Sequence, residues 1–376
     1  MPFDAAEVAR QIEQSRGGAR ADAAVRETAM EYALRLYRAA GETEWEQRVQ
    51  DATARRWVGS PLTPLHAPAN HAAAYPDYCV VATDSSFIAP DKHRGAYCHL
   101  VNVGRVMVRY GQRRAAEIDN VPNHYPEVPL QDEEMMSSKA LAAKCALREL
   151  EELFEWARQY PADVALVDGS LMQLVNVLSK DGEVAGIMRD YFRVMQAFRQ
   201  IRVPVVGYIS RPESQMVMRG IRMLACELPT PHETRPDEEC SCQPLWSIND
   251  ADLFVRLLEE GERSPIWEPM FSHLVGENAP IAKDMLFAYL GTQYEVVRLE
   301  FPAWVWEEKR LDRTIEYILH QCRLGQGYPN ALTLAHQYAV LHNTDRESYY
   351  FLLERAGMLR STTEKALGKQ KIGQAI

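Results

Sequence analysis

Hydrophobic and polar positions alternate along the chain in a way that predicts helices first and short buried strands afterwards. Apolar residues recur at helical spacing in AVRETAMEYALRLYRAA, and two or three helices are predicted over residues 3–57. Four prolines in residues 60–76 then predict a loop. The first strand is predicted in YCVVATDSSFIAP, where an apolar run beginning at Tyr78 stops at Asp84 and two serines.

Two further strands are predicted directly afterwards, and with the first they would form a meander. A long helix with a broad apolar stripe, residues 132–160, separates this meander from a buried strand that ends at Asp168. The predicted strands of this region are Tyr97–Gly104, Arg105–Gly111, Val164–Val167 and Val203–Ser210, and a helix is predicted at Val184–Ile201.

The order strand, long helix, strand, helix, strand is typical of an α/β fold with parallel pairing. Together with the meander it predicts a mixed sheet flanked by helices. The later pattern predicts a helix at Asp250–Glu260, a hairpin of Leu286–Leu290 with Tyr294–Phe301, and the C-terminal helices Ala303–Gly325, Asn330–His342 and Asp345–Ala356. We expect an N-terminal helical arm (1–60), a main domain (61–360) with a polar insertion (226–247), and a disordered tail (361–376).

Composition narrows the class of protein. A net charge of −10 argues against coating nucleic acid by bulk electrostatics, although a local basic groove stays possible. No apolar run is long enough for a transmembrane helix, and the first residues do not resemble a signal peptide. Seven scattered cysteines suit a reducing compartment, so we expect a cytoplasmic protein.

Acidic residues supply the candidate chemistry. Asp84 and Asp168 each end an apolar strand, and the second half of the long helix carries Glu149, Glu151 and Glu152. Three carboxylates brought together repel one another unless cations neutralise them. The pattern therefore suits one or two Mg²⁺ or Mn²⁺ ions that hold a phosphodiester. The alternative is that Asp84 only closes a turn through its side chain.

Cysteines offer a second candidate metal site. Cys226, Cys240 and Cys242, with His232 and Cys322, could in principle bind zinc or an iron–sulfur cluster. Their C-x13-C-x-C spacing differs from the paired C-x2-4-C spacing of the common zinc modules. Whether these cysteines bind a metal stays open from the sequence.

Several blocks of the chain resemble, in the same order, those of the NurA nucleases. The resemblance spans residues 78–354, and its blocks are VVATDSSFIAP, ALVDGSL, VVGYISRP, NDADLFVRLLEEGERSPIW, VVRLEFP and GYPNALTLAHQYAVL. It implies an RNase H-like core and a manganese-dependent 5′→3′ exonuclease with single-strand endonuclease activity. It also implies a toroidal homodimer that docks on a hexameric HerA-type ATPase translocase during DNA end resection.

The resemblance also implies roles for individual residues. Asp84, Glu149 and Asp168 match the family's acidic metal ligands, Glu149 because it lies 19 residues before Asp168. Glu151 and Glu152 lie close enough to be confused with it. Tyr208 matches the tyrosine of the third strand, and His336 matches the histidine of a C-terminal helix. Without the resemblance, a core tyrosine and a helix-surface histidine are the favoured interpretations of these two residues.

Two other functions fit the sequence less well. A phosphotransferase of the actin and sugar-kinase type shares the RNase H-like core, but the Gly-rich hairpins it needs after Asp168 are missing. A non-catalytic DNA-binding regulator of the translocase would not need the acidic residues and His336. Arginines are enriched at positions 105–114 and 211–222, where they could line a DNA channel or form ordinary surface charge.

Overall fold

Residues 4–51, 56–73, 77–126, 138–173, 182–226, 240–271 and 284–359 are those that the computed structural model describes. The chain divides into two compact units. The first unit contains Met1–His71 and Ile209–Glu300, and the second unit contains Ala72–Tyr208 and Phe301–Ile376.

The helices and strands are numbered along the chain. The helices are α1 (Ala5–Ala39), α2 (Glu42–Asp51), α3 (Ser138–Gln159), α4 (Gly182–Ile201), α5 (Met216–Ala225), α6 (Asp250–Phe254), α7 (Ala303–Glu307), α8 (Leu311–Leu324), α9 (Asn330–Ala339) and α10 (Asn343–Arg355). The strands are β1 (Arg56–Pro61), β2 (Ala69–Asn70), β3 (Tyr78–Ile88), β4 (His99–Tyr110), β5 (Ala115–Tyr125), β6 (Val164–Asp168), β7 (Val205–Ile209), β8 (Glu262–Arg263), β9 (Trp267–Phe271), β10 (Met285–Gly291) and β11 (Val296–Pro302).

The first unit is built on antiparallel strands covered by helices. β1 pairs with β9, and β9 pairs with β10, both antiparallel. Every residue of β10 and β11 is buried, and these neighbouring strands confirm the predicted hairpin. Side chains from α1, α2 and α5 pack in one apolar cluster around Trp45, Phe254 and Trp267. The predicted N-terminal helices are confirmed as α1 and α2.

The second unit contains a mixed sheet with the strand order β7-β6-β3-β4-β5. β3, β4 and β5 are antiparallel, whereas β3 with β6 and β6 with β7 are parallel. The first five residues of β3 are all buried, as expected for a central strand. Three antiparallel strands followed by two parallel ones are the RNase H-like arrangement, so the predicted fold class is confirmed.

The two helices α3 and α9 lie on opposite faces of this sheet. Thr83 and Ser85 of β3 both donate hydrogen bonds to Glu149 of α3. Ser86, two positions beyond Asp84, donates to Ala339 of α9. Because successive side chains of a strand point to opposite faces, the sheet is covered on both sides.

The predicted division of the meander is partly wrong. Tyr97–Gly104 and Arg105–Gly111 form one continuous strand, β4, because Gly104 lies within the strand and does not end it. The third strand is β5, which the sequence analysis did not predict. β5 lies at the edge of the sheet, is mostly exposed and contains Pro122, so it lacks the apolar pattern of a buried strand.

Other predictions differ in their bounds. The single helix predicted at Ala303–Gly325 is two helices, α7 and α8, separated by Lys309 in a left-handed conformation. The predicted helix at Asp250–Glu260 ends at Phe254. The tail 361–376 and residues 227–239 of the polar insertion lie outside the described residues. No helix in the described ranges is long and apolar enough to cross a membrane.

Gly104 allows the backbone of α9 to approach β4 closely. A Cβ atom at Gly104 would lie 2.2 Å from the carbonyl oxygen of Ala335 and 2.6 Å from the backbone nitrogen of Ala339. The side chain of Asn102, also on β4, donates to the carbonyl oxygens of Tyr338 and Ala339 at 3.1 and 2.9 Å. The docking of α9 therefore depends on a position without a side chain.

We expect Gly104→Ala to destabilise the protein by about 1–3 kcal/mol, because the added methyl group overlaps backbone atoms that cannot move independently. Equilibrium urea unfolding measures the change. Gly186→Ala in α4 is the matched control, since a Cβ there meets nothing within 4 Å and removes a helical glycine. Equal stability of the two variants would contradict the proposed close approach.

Candidate active site

The parallel pairing of β3 with β6 brings two aspartates to neighbouring positions. Val80 pairs with Val164 and Thr83 with Val167, so the next residues, Asp84 and Asp168, are level on adjacent strands. Side chains at level positions of parallel strands point to the same face. The strands therefore present both carboxylates on one side of the sheet, and their charges interact.

Glu149 reaches the same region from α3. Its Oε2 accepts a hydrogen bond from the hydroxyl of Ser85 at 2.9 Å, and its backbone carbonyl accepts one from Thr83 at 3.2 Å. Its Oε1 is buried and has no hydrogen-bond partner among the described residues. Burial, followed by the charges of Asp84 and Asp168, raises the pKa of Glu149 well above its ordinary value, and the Ser85 hydroxyl opposes this. A buried carboxylate facing other carboxylates is the electrostatic pattern of a cation site.

The neighbouring glutamates of α3 have other partners. Arg148 pairs with both Glu151, at 3.1 Å, and Glu152. Arg105 also pairs with Glu152, at 2.7 Å. The three glutamates between which the sequence could not choose are thus in different environments: Glu151 and Glu152 pair with arginines, whereas Glu149 interacts with the two strand aspartates.

His336 contacts the first aspartate directly. Its Nδ1 lies 2.7 Å from Oδ2 of Asp84, and its side chain is 63% exposed. The backbone N–H of Ser85 donates to the other oxygen of Asp84 at 2.8 Å. Asp84 is thereby fixed in orientation, while the imidazole stands between the carboxylate and solvent.

Tyr328, in the turn before α9, contacts the second aspartate. Its hydroxyl hydrogen-bonds to the Asp168 carboxylate. Partial desolvation is the largest cause that raises the pKa of Asp168; the Asp84 charge adds to it, and the Tyr328 hydroxyl and His336 oppose it. Desolvation and the Asp168 charge likewise raise the pKa of the Tyr328 phenol. Tyr328 therefore holds Asp168 as a neutral hydrogen-bond donor.

Tyr208 does not line the surface of this region. It is fully buried, and the Cys322 thiol lies 3.6 Å from its hydroxyl. Its ring meets that of Tyr328 edge to face, with 5.2 Å between the ring centroids. Tyr208 therefore supports the tyrosine that contacts Asp168, and its buried position does not suit direct contact with a phosphate or a base.

Two of the enriched arginines are occupied by internal contacts. Arg105 pairs with Asp119 and Glu152 and lies over the ring of Trp156. Arg222 is buried over the ring of Trp246. Arg113 and Arg114 are exposed. The arginine clusters are thus only partly available for contact with phosphates.

The acidic cluster is looser than a closed metal cage. Among the described residues, three possible ligand atoms lie within 4.8 Å of one another at a cysteine group of the first unit, but not at Asp84, Glu149, Asp168 and His336. The acidic residues nevertheless interact electrostatically, because the Asp84 charge raises the pKa of both Glu149 and Asp168, and the Asp168 charge raises the pKa of Glu149.

Sequence reasoning overlooked two contributors to this site, Ser85 and Tyr328. Ser85 follows Asp84 directly, and its proximity in sequence was a usable signal. Tyr328 lies 160 residues after Asp168, and no spacing rule connects them. It belongs to the block GYPNALTLAHQYAVL, which also contains His336.

We expect Glu149→Gln to stabilise the metal-free protein as the pH rises. A carboxyl whose folded-state pKa is raised contributes stability below the unfolded value of about 4.3, and loses it as the pH rises through the folded value. In EDTA, the variant should match the wild type near pH 4 and exceed it by at least about 1 kcal/mol at pH 8. Urea unfolding across this range measures the difference.

The matched control is Glu151→Gln, which removes a half-exposed ion pair of the same helix. It should change the free energy of unfolding by less than about 1 kcal/mol at each pH. A Glu149→Gln variant that is less stable than the wild type at pH 8 would show that Glu149 is not a destabilising buried charge.

Comparison with solved structures finds distant likenesses. A crystal structure of NurA bound to dAMP and manganese is 14% identical, and the alignment covers 79% of this chain and 91% of that chain with a TM-score of 0.38. Endonuclease V from Bacillus subtilis is 13% identical, covers 75% and 87%, and has a TM-score of 0.35. Endonuclease V from Ciona intestinalis, in complex with a 24mer DNA containing an inosine, is 11% identical, covers 75% and 92%, and has a TM-score of 0.31.

No curated protein matches the chain. The family model of the NurA domain, however, matches residues 79–341, which is more than half of the sequence. The matched residues run from β3 to the end of α9 and include Asp84, Glu149, Asp168 and His336. The chain belongs to the NurA family of nucleases.

Proposed function

We propose that this chain is a divalent-metal-dependent DNA nuclease that hydrolyses phosphodiester bonds beside Asp84, Glu149 and Asp168. The observation that carries the proposal is the register of β3 and β6, which sets Asp84 and Asp168 level on one face, with the buried Glu149 of α3, on the other face, within range of both charges. Neighbouring carboxylates repel one another unless a cation or a proton neutralises them, and a bound cation would relieve this repulsion. Membership of the NurA family supports the nucleolytic reaction.

The residues present fit a hard divalent ion. Mg²⁺ and Mn²⁺ prefer oxygen ligands, and all three acidic side chains supply them. The buried Oε1 of Glu149, which has no partner among the described residues, is an available donor atom. Asp84, Glu149 and Asp168 would hold one or two ions, with His336 as a further ligand. Bound there, the metal would supply Lewis-acid stabilisation of the phosphate and a lowered pKa for the attacking water.

The chain's own residues orient the site and handle protons. Asp84 contacts Nδ1 of His336, so the imidazole is fixed in orientation. Its other ring nitrogen, Nε2, would either ligate an ion or, where no ion uses it, accept a proton from the attacking water. The Tyr328 hydroxyl holds Asp168 in place, and the Ser85 hydroxyl holds Glu149. Tyr208 acts through the ring of Tyr328.

Finer aspects of the activity follow from the sequence resemblance. They are 5′→3′ exonuclease and single-strand endonuclease activity with Mn²⁺, a homodimer, a HerA-type hexameric ATPase as partner, and a role in resecting broken DNA ends in the cytoplasm. The net charge of −10 supports dependence on a partner, because an acidic chain has limited non-specific affinity for DNA.

The alternatives account for less of the molecule. A phosphotransferase on the same core would use a second, related half, whereas the first unit pairs β1, β9 and β10 antiparallel. A non-catalytic regulator would not need a buried glutamate whose pKa is raised by two aspartates. A metal-dependent nuclease accounts both for the acidic residues Asp84, Glu149 and Asp168 and for the hydrogen bond between Asp84 and His336.

We expect Asp84→Asn to lower the rate of DNA cleavage by at least about 10²-fold, because it removes a charge that would hold the cation and the partner of His336. The assay digests end-labelled single-stranded and duplex DNA in Mn²⁺. Thermal unfolding of each variant verifies that the fold is retained.

The control is Asp119→Asn, which removes an exposed carboxylate of β5 paired with Arg105 and should leave cleavage unchanged. Wild-type cleavage by Asp84→Asn would refute the site. Repeating the assay with a HerA-type ATPase tests the partner, since digestion of duplex ends should increase; equal processive digestion without it would contradict partner dependence.

Tyr328→Phe tests the support of Asp168. Loss of the hydroxyl that holds this carboxylate should weaken metal affinity or activity by about 10–100-fold, the usual effect of removing a group that orients a ligand. Activity is measured as a function of Mn²⁺ concentration. Tyr338→Phe, at an exposed position of α9, is the matched control and should behave as wild type. Identical Mn²⁺ dependence of the two variants would exclude this role.

A further inference from the structure

Three cysteines of the first unit converge although they are far apart in sequence. Cys226 directly follows α5, and Cys240 and Cys242 directly precede a short 3-10 helix, Gln243–Ser247. The sulfur of Cys240 lies 3.7 Å from that of Cys226 and 3.0 Å from that of Cys242. All three sulfur atoms lie within 4.8 Å of one another.

Backbone hydrogen bonds hold the cysteines in this arrangement. The Cys226 N–H bonds to the carbonyl of Arg222 at the end of α5. The Ser241 hydroxyl donates to the carbonyl of Ala225, so the segment between Cys240 and Cys242 is attached to the end of the same helix. The carbonyls of Cys240 and Cys242 accept turn hydrogen bonds at 2.9 and 3.1 Å. The thiols are therefore positioned by the local fold rather than by flexible side chains alone.

The sulfur separations suit a shared ion. A disulfide is about 2.03–2.05 Å long, so none of these pairs is bonded. With a Zn–S distance of about 2.3 Å, tetrahedral geometry places two thiolates about 3.8 Å apart. The separation of 3.7 Å between Cys226 and Cys240 is close to this value. Small rotations of the side chains would allow all three sulfur atoms to contact one ion.

The surroundings suit a buried thiolate site that is open on one side. Cys226 and Cys242 are buried in the apolar cluster that includes Leu245, whereas Cys240 is partly exposed. Zn²⁺ with three thiolates carries one net negative charge. The buried guanidinium of Arg222 interacts with Cys242 and would offset that charge. The buried indole N–H of Trp246 lies beside the Cys242 thiol.

We propose that Cys226, Cys240 and Cys242 bind one Zn²⁺ ion, with the fourth position on the exposed side of Cys240. The site would join the end of α5 to the 3-10 helix. It is independent of the nuclease proposal, because soft thiolates select zinc whereas Mn²⁺ and Mg²⁺ prefer carboxylates. The C-x13-C-x-C spacing concealed the site, since a returning segment replaces the usual C-x2-4-C pair.

Other uses of these thiols fit the geometry less well. A disulfide would use two sulfurs and leave a third beside it. A four-cysteine iron–sulfur cluster needs one more thiolate than the group contains. His232, considered with this group from the sequence, lies outside the described residues, and Cys322 contacts Tyr208 in the second unit.

The test is the metal content of the full-length chain, purified under reducing conditions without a histidine tag. Elemental analysis should find about one zinc per wild-type chain and at least a fivefold loss in Cys240→Ser and Cys242→Ser. Cys98→Ser, at a buried cysteine of the second unit, is the matched control and should keep the zinc. Asp84→Asn should also keep it, which separates this ion from any bound to the carboxylates.

Substitution with cobalt tests metal binding by the three cysteines in the wild-type chain, in case the serine variants do not fold. Metal-free wild-type protein titrated with Co²⁺ should develop the sulfur-to-cobalt charge-transfer absorption of several thiolates, saturating at one equivalent. Absence of both zinc and this absorption would overturn the proposal. So would zinc that persists in the Cys240→Ser variant, or a thiol titration of the freshly purified protein that finds two of the seven cysteines in a disulfide.

Discussion

The register between β3 and β6 is the constraint on which the rest of the site depends. Val80 opposite Val164 fixes Asp84 level with Asp168. A shift of one residue would move every side chain of one strand to the other face and separate the two carboxylates. Both strands are held in this register by buried apolar residues before the aspartates, so core packing determines where the acidic groups meet.

The acidic groups impose an electrostatic penalty on the folded chain. Glu149 is buried, and Asp84 and Asp168 raise its pKa further. Neutral donors compensate in part: the Ser85 hydroxyl for Glu149 and the Tyr328 hydroxyl for Asp168. Arg105 of β4 and Arg148 of α3 are both paired with Glu152. The charge of the acidic cluster is thus left for a ligand to neutralise, as at many catalytic sites.

Sequence reasoning placed the end of the first strand wrongly at Asp84, since β3 stays paired with β4 as far as Ile88. It located the end of β6 at Asp168, because an apolar run that stops at an aspartate is a local signal. It could not separate Glu149 from Glu151 and Glu152, since that distinction depends on arginines whose partners are set by the fold. The same limit applies to Tyr328, to the polar edge strand β5, and to Gly104, which resembles a strand end until α9 is placed on it. The cysteine group is the clearest case, because proximity created by a returning segment leaves no regular spacing.

The helix α9 is held on β3 and β4 through its backbone, which leaves its outward side chains free of that role. The sheet contacts the backbone of α9. The side chains of Asn102 and Ser86 donate hydrogen bonds to its carbonyl oxygens, and the absence of a side chain at Gly104 lets its backbone lie against β4. The side chains of the outward positions, such as Gln337 and Tyr338, are exposed and do not contribute to these contacts. Substitutions at these outward positions can therefore change which proteins the exposed surface of α9 binds. They would not move the imidazole of His336, one residue away, because the docking of the helix does not depend on them.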